Sequence, residues 1–169
     1  MNAQSATPVY IARFADNELT IGLKGVANEE TEKRLDAIVR LFCCLHGRDV
    51  FIKNYEKFLS MRLLNKTSIS REAEEIILNK LKVECGLNTV NKMSQMFTDI
   101  QLSKDLQIEF ERLNNNKTEI SGITFSAEVL MSGNWPVDSK LTCAIPAVMK
   151  DCTEKFARFY KHKHQNRDL

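Results

Sequence analysis

Three carboxylates lie close together in the stretch SREAEEI, where acid–base chemistry would be one use for them. Glu72, Glu74 and Glu75 fall in the first turn of a predicted helix. Paired carboxylates act as general acid and base when their surroundings separate their pKa values. Acidic residues are also favoured at a helix start, because they interact with the positive end of the helix dipole. This second explanation is the simpler one, and we predict no catalytic role for these residues.

Histidines and cysteines offer no better candidates. His162 and His164 are two residues apart and lie on different faces of a predicted helix, which suits a shared metal ion poorly. Cys43 and Cys44 lie on a core-facing helix, so His46 does not form a nucleophile pair with either of them. The five cysteines are an odd number without a CxxC pair, which favours reduced, mostly buried thiols. The sequence therefore predicts no enzyme, no metal site and no cofactor.

The composition is that of an ordinary globular chain. It has 169 residues, of which 43% are hydrophobic and 27% charged, and a net charge of +2. A charge this small does not by itself indicate nucleic acid as a partner. No apolar run is long enough to cross a bilayer, and the first residues lack the pattern of a signal peptide. We therefore predict no membrane partner and a location in the cytoplasm, the nucleus or both.

Apolar residues recur at helical spacing over the first 114 residues. We predict helices over about 8–23, 28–46, 49–65, 70–85 and 90–100, and a short one from 103 to 113. Asn28, Ser68 or Ser70, and Ser103 are the predicted N-caps, and Gly47 and Gly86 the predicted stops. Since all the connections are short, an antiparallel bundle is the expected arrangement.

The pattern changes after residue 114. Five alternate residues are apolar and predict a half-buried strand: Ile123, Phe125, Ala127, Val129 and Met131. The stretch LTCAI predicts a second strand, and Pro146 fits the first position of a final helix with Met149, Cys152, Phe156, Phe159 and Tyr160 on one stripe. The predicted fold is mainly α, with an antiparallel helical bundle over 1–114 and a small, incomplete α+β segment over 115–169. Two strands do not make a stable sheet, so this segment is expected either to pack on the bundle or to continue in a longer chain, and we favour the second.

Four blocks of sequence together resemble the cullin family. They are RDVFIKNYEKFLSMRLL from residue 48, SREAEEIILNKLKVECG from 70, NKMSQMFTDIQLSKDL from 91, and VLMSGNWP from 129. Four blocks in the right order are far more specific than one short motif. Met61 stands where the family usually has lysine or arginine, so the resemblance is to a divergent member. The motif residues with a predicted structural role are Asp49, Phe51, Tyr55, Arg62, Leu63, Cys85, Gly86, Met96 and Phe97.

The resemblance implies a non-catalytic scaffold of a RING-type ubiquitin ligase. Cullins hold a substrate receptor or adaptor through their N-terminal half and a RING-box protein at the other end. This chain resembles the four-helix bundle that begins the C-terminal half, with the first part of the α/β subdomain. In the family, a strand of the RING-box protein completes that sheet by β-augmentation. The implied partner-binding residues are Ile123, Phe125, Ala127, Val129, Met131 and Trp135. The family's neddylated lysine is not expected among these residues.

Two alternatives follow from the residues themselves. The basic tail formed by Lys161, His162, Lys163, His164 and Arg167 would suit nucleic acid or an acidic partner. No aromatic residues are interleaved with these cations, which makes nucleic acid the less favoured partner. Arg62 would either contact a partner or extend over core residues and pair with an acid. We favour the second role for Arg62.

Overall fold

The computed structural model describes residues 6–113, 119–120, 123–136, 144–165 and 169. Within these ranges the elements are α1 (Thr7–Asn17), a π-helical turn (Glu18–Gly22), α2 (Asn28–Cys43), α3 (Arg48–Asn65), α4 (Arg71–Cys85), α5 (Leu87–Leu113), β1 (Glu119–Ile120), β2 (Ile123–Thr124) and α6 (Ala147–Lys163). The prediction of a mainly α fold is confirmed.

The chain divides into two compact units. The first unit comprises Met1–Phe97 and Ser132–Pro136, and the second comprises Thr98–Met131 and Val137–Leu169. The division falls within α5, so this helix contributes residues to both units. The predicted domain boundary between residues 114 and 115 stays a prediction.

Helix ends in the first unit follow local chemistry. The Ser70 Oγ accepts a hydrogen bond of 3.0 Å from the Ala73 N–H, which makes Ser70 the N-cap of α4. Gly86 follows α4 with a positive φ of 84°, a conformation that glycine adopts without strain. The predicted Asn28 cap is wrong: Ala27 precedes α2 without a side-chain cap. The first turns of α2 are stabilised instead by an exposed ion pair between Lys33 and Glu29.

The first unit is a helical bundle in which α1 and α3 run in the same direction, as do α2 and α4. Pro8 lies against Gly47, where a Cβ would be 3.2 Å from the proline ring, and Asp16 contacts Arg62 further along both helices. Helices joined by short loops that alternate in direction produce this arrangement. The core of the first unit contains Leu35, Ile38, Phe42, Phe51, Tyr55, Leu59, Ile77, Leu81, Met93 and Met96.

The second unit contains a correction to the predicted helices. Two helices were expected on either side of Ser103, but α5 runs unbroken through it. Ser103 is not an N-cap, because its hydroxyl bonds to the backbone of Val129 and not to its own helix. The α5 backbone therefore continues its regular hydrogen bonding through this position.

The predicted strand at Ile123–Met131 is also corrected. Among the described residues, strand pairing is confined to Ile123 and Thr124, in an antiparallel register with Ile120 and Glu119. Residues 125–131 are not assigned to a strand, and within the described part of the chain the backbone of their odd-numbered members bonds to side chains of α5. Most of the second predicted strand lies outside the described residues.

The final helix forms close to where it was expected. Pro146 is the N-cap of α6 and not its first residue. Cys152, Phe156 and Tyr160 are buried as predicted, whereas Met149 is about half exposed. The buried stripe therefore begins one turn later than the sequence pattern indicates.

Candidate functional site

The extended segment, residues 125–131, lies beside three polar side chains of α5. These are Asp99, Ser103 and Gln107, which we call the polar row. They are spaced by four residues, so they lie on one side of the helix. Asp99 and Ser103 are buried, and Gln107 is half-buried. Their hydrogen bonds to the extended segment are therefore shielded from water.

Together, the members of the polar row bond to alternate residues of the extended segment. The Gln107 Nε2 donates to the Phe125 carbonyl at 3.0 Å, and its Oε1 accepts from the Ala127 N–H at 3.2 Å. The Ser103 Oγ accepts from the Val129 N–H at 2.7 Å and donates to the Val129 carbonyl at 3.0 Å. These two side chains supply donors and acceptors in the manner of an adjacent strand.

Asp99 completes the polar row at its other end. The Asp99 Oδ2 accepts a hydrogen bond of 2.9 Å from the Met131 N–H. The spacing of the two elements agrees, because four helical residues rise about 6.0 Å and two extended residues about 6.6 Å. One side chain per helical turn can therefore bond to every second residue of the segment.

The side chains of the extended segment pack on a small aromatic core. Phe125, Ala127 and Val129 lie against buried Phe110, Cys152 and Phe156. The ring centroids of Phe110 and Phe156 are 5.1 Å apart in an edge-to-face arrangement, and those of Phe125 and Phe156 are 5.8 Å apart. Such aromatic contacts add to the free energy gained from buried area. The core fixes which face of the segment is covered.

The six predicted partner-binding residues have different surroundings. Phe125, Ala127 and Val129 direct their side chains into the aromatic core, so these side chains are largely occupied. Met131 is about half exposed, and Trp135, in the first unit, is buried. Ile123 pairs with Ile120 through its backbone, while its side chain lies outside the described part of the chain.

The other edge of the extended segment is formed by the even-numbered residues. In extended backbone, successive residues direct their N–H and C=O groups to opposite sides. Since Phe125, Ala127, Val129 and Met131 bond toward α5, the groups of the even-numbered residues point away from it. Ser126 makes no hydrogen bond to another described residue. At Ser126 this edge has the geometry that accepts an added β-strand.

The polar row was missed in the sequence because its members look unremarkable one at a time. Ser103 resembles a helix cap, and Asp99 and Gln107 resemble surface residues. The available signal was their spacing of four on one side of a helix, next to the apolar positions Leu106 and Phe110. A polar row among core positions indicates that another element needs hydrogen bonds there.

A buried ion pair is the main polar feature of the first unit. The Arg62 Nε and NH2 donate to the two carboxylate oxygens of Glu74 at 2.7 and 2.9 Å. The Arg62 NH1 also donates to the Asp16 Oδ1 at 2.6 Å. Arg62 is 2% exposed and Glu74 is fully buried. Arg62 therefore links α3 to both α1 and α4.

Neighbouring groups complete the surroundings of Glu74. The Ser68 Oγ donates to the Glu74 Oε1 at 2.8 Å, and the Tyr55 hydroxyl donates to Oε2 at 3.4 Å. Burial alone would lower the pKa of Arg62, but its hydrogen bond to Glu74 and the nearby negative charge raise it overall. Glu74 lies in the first turn of α4, as the sequence indicated, and it has a second role besides its interaction with the helix dipole. Its carboxylate balances a buried cation.

The remaining motif residues are distributed through the first unit. Phe51, Tyr55 and Met96 are fully buried, and Phe97 is almost so. Two positions are exposed: Asp49 in the first turn of α3 and Gly86 after α4. Leu63 and Cys85 are half-buried, and burial raises the pKa of the Cys85 thiol. Their structural roles in the family motif stay a prediction.

Tyr55 provides a test of the buried network at alkaline pH. Burial, and next the negative charge of Glu74, raise the pKa of Tyr55 well above its usual 10. Above pH 10 the tyrosine ionises in the unfolded chain but stays neutral in the folded one, so stability falls as pH rises. The fall approaches about 1.4 kcal/mol per pH unit from this residue alone.

The measurement is the free energy of unfolding in urea between pH 8 and pH 11. Above pH 10 we expect the free energy of unfolding of Tyr55→Phe to fall less steeply with pH than that of the wild type, because phenylalanine has no hydroxyl to ionise. Tyr10→Phe is the matched control, since Tyr10 is 66% exposed. Equal alkaline slopes for Tyr55→Phe and the wild type would contradict the raised pKa.

The metal-ligating residues, the membrane-spanning potential and the basic tail considered in the sequence can each be compared with the structure. In the described part of the chain, no group of three or more His, Cys, Asp or Glu residues could hold a metal ion. No described helix has the length and apolar character needed to cross a membrane. Lys163 of the basic tail is paired with Glu109, and the His164 ring packs 4.8 Å from that of Tyr160. Arg167 lies outside the described residues.

Comparison with known proteins gives one consistent family. Residues 1–107 match the cullin family model described as the cullin alpha solenoid domain. The chain is 38% identical to Cullin-3 of Dictyostelium discoideum and 37% identical to Cullin-3B of Arabidopsis thaliana, in each case over the whole chain. It is 38% identical to mouse (Mus musculus) Cullin-4A over 94% of the chain. The chain spans 21–23% of the length of these relatives.

Proposed function

Because the chain belongs to the cullin family, we propose that it is part of a scaffold subunit of a RING-type ubiquitin ligase. In this role it performs no chemistry itself and holds other proteins in position for ubiquitin transfer. Correct placement of two reactants lowers a transfer barrier by removing the entropy cost of bringing them together. Substrate receptors or adaptors would be held by parts of the protein outside these 169 residues.

The proposed contact of this chain is with a RING-box protein, which adds a β-strand to the extended segment. The observation that carries this proposal is the outward edge at Ser126. Segment residues that bond to α5 cannot use the same groups for a partner, whereas the even-numbered residues direct theirs away. Strand addition obtains its affinity from such main-chain groups.

Proline substitution at Ser126 tests the contact. Proline lacks the N–H that a partner strand would bind, yet it suits extended backbone. We expect Ser126→Pro in the full-length protein to weaken RING-box binding at least about tenfold, since a hydrogen bond is lost and the ring obstructs pairing. Isothermal titration calorimetry with a purified RING-box protein measures the change.

Ser126→Ala is the matched control, because it keeps the N–H and removes only the hydroxyl. We expect this variant to bind like the wild type. If the wild-type full-length protein does not bind a RING-box protein, the proposed function is wrong. If Ser126→Pro binds as tightly as Ser126→Ala, the RING-box protein does not use this edge.

A further inference from the structure

We propose that the polar row is a positioning device that holds residues 125–131 as a pre-formed strand for a partner. This inference rests on the proposed function, in which a partner strand adds to the extended segment. It assigns Asp99, Ser103 and Gln107 a role in partner binding although they lie on the side of the segment away from the partner. None of the three needs to contact the partner.

The first support is the kind of bond that the polar row makes. The Gln107 amide offers one donor and one acceptor to the segment, as a peptide group of a neighbouring strand does. The Ser103 hydroxyl binds both backbone groups of Val129. Together with Asp99, these side chains bond to every second residue from Phe125 to Met131. The backbone groups on this edge of the segment are thus hydrogen-bonded to side chains of a helix instead of to a strand.

The second support is the burial of these bonds. Ser103 is 1% exposed and Asp99 is 5% exposed. A backbone group that loses its hydrogen bond in this buried position cannot form one to water instead, so breaking the bond costs free energy. Packing of Phe125 and Val129 on the aromatic core restrains the same residues from a second direction. Hydrogen bonding and packing therefore favour one conformation of the segment.

The consequence for binding is entropic. A flexible segment must be ordered when a partner strand adds to it, and this reduces affinity. A segment that is already extended avoids that cost. The polar row should therefore increase the affinity for a partner strand without touching it.

Ser103→Ala is the variant that tests this inference. It leaves both backbone groups of Val129 without their partner, so we expect the Val129 amide to exchange its hydrogen about tenfold faster. In the full-length protein we expect about tenfold weaker binding to a purified RING-box protein. Hydrogen exchange measured by NMR and titration calorimetry give the two values.

Matched variants separate this effect from general damage to α5. Ser94→Ala makes the same change on the same helix, where the hydroxyl donates to the Val90 carbonyl, and we expect wild-type exchange and binding. Gln107→Met keeps the length of the side chain without hydrogen bonds, and we expect it to increase exchange at Ala127. It provides a second test if Ser103→Ala does not fold.

The outcomes distinguish this inference from the proposed function. Faster exchange together with weaker binding supports it. Unchanged exchange in both Ser103→Ala and Gln107→Met overturns it, and so does faster exchange with unchanged affinity. If the wild-type protein does not bind a RING-box protein, the proposed function fails first, and the inferred binding role fails with it. The exchange result then shows only whether the polar row orders the segment.

Discussion

Replacement of Arg62 by methionine is expected to lower the free energy of unfolding by about 3–5 kcal/mol. The substitution keeps most of the apolar stem but removes the charge that balances Glu74, which is fully buried. An unpaired carboxylate in such surroundings loses its hydration without an opposite charge in return. Asp16 is less affected, because its side chain is 28% exposed. Urea unfolding followed by far-UV circular dichroism measures the change.

Two further variants show whether the unpaired Glu74 carboxylate causes the loss of stability in Arg62→Met. Arg71→Met removes an exposed arginine that pairs with Glu75, and we expect a change of about 0.5 kcal/mol or less. The double variant Arg62→Met/Glu74→Leu should regain much of the lost stability, because it buries no unpaired carboxylate. A double variant no more stable than Arg62→Met would show that the loss has another origin.

Replacement of Phe156 by alanine is expected to destabilise the second unit by about 3–5 kcal/mol. Phe156 is buried and its ring contacts those of Phe110, Phe125 and Phe159. The core that the described residues of this unit form is small, so a cavity at its centre removes a large share of that packing. Hydrogen exchange measured along the whole chain should show lost protection in α6 and in the extended segment.

Met149→Ala is the matched control for Phe156. Met149 lies on the same helix but is about half exposed, so its loss leaves no cavity in the core. We expect exchange in α6 close to that of the wild type. Equal protection in Phe156→Ala and Met149→Ala would mean that the aromatic core does not hold the second unit together.

The sequence was a good guide to the helices because their signals are local. Apolar spacing located α3 and α4 to within a residue or two, and the side chain of Ser70 identified the start of α4. Helical periodicity and capping depend on neighbours a few positions away, which a sequence displays directly.

The interactions that the sequence did not predict join residues far apart in the chain. Arg62 and Glu74 each stand out in the sequence, but nothing in their local sequence indicates that they bind each other in the core. Within the alternation from Ile123 to Met131, the structure places Phe125, Ala127 and Val129 against the core, as the pattern indicated. The pattern could not indicate what bonds to the backbone, because side-chain alternation is the same whether the neighbour is a strand or a helix.

The spacing of the polar row sets a limit on the length of the extended segment that a helix can hold. Each further turn, which sets four helical residues against two extended ones, adds about 0.6 Å of mismatch in rise. About 1.8 Å would therefore accumulate after three such turns. Hydrogen bonds tolerate a spread of only about 0.5 Å in length, and flexible side chains absorb only part of the difference. A straight helix can therefore support roughly seven extended residues in this way. A partner that binds this edge should use a short strand, and a longer recognition sequence would require a bulge.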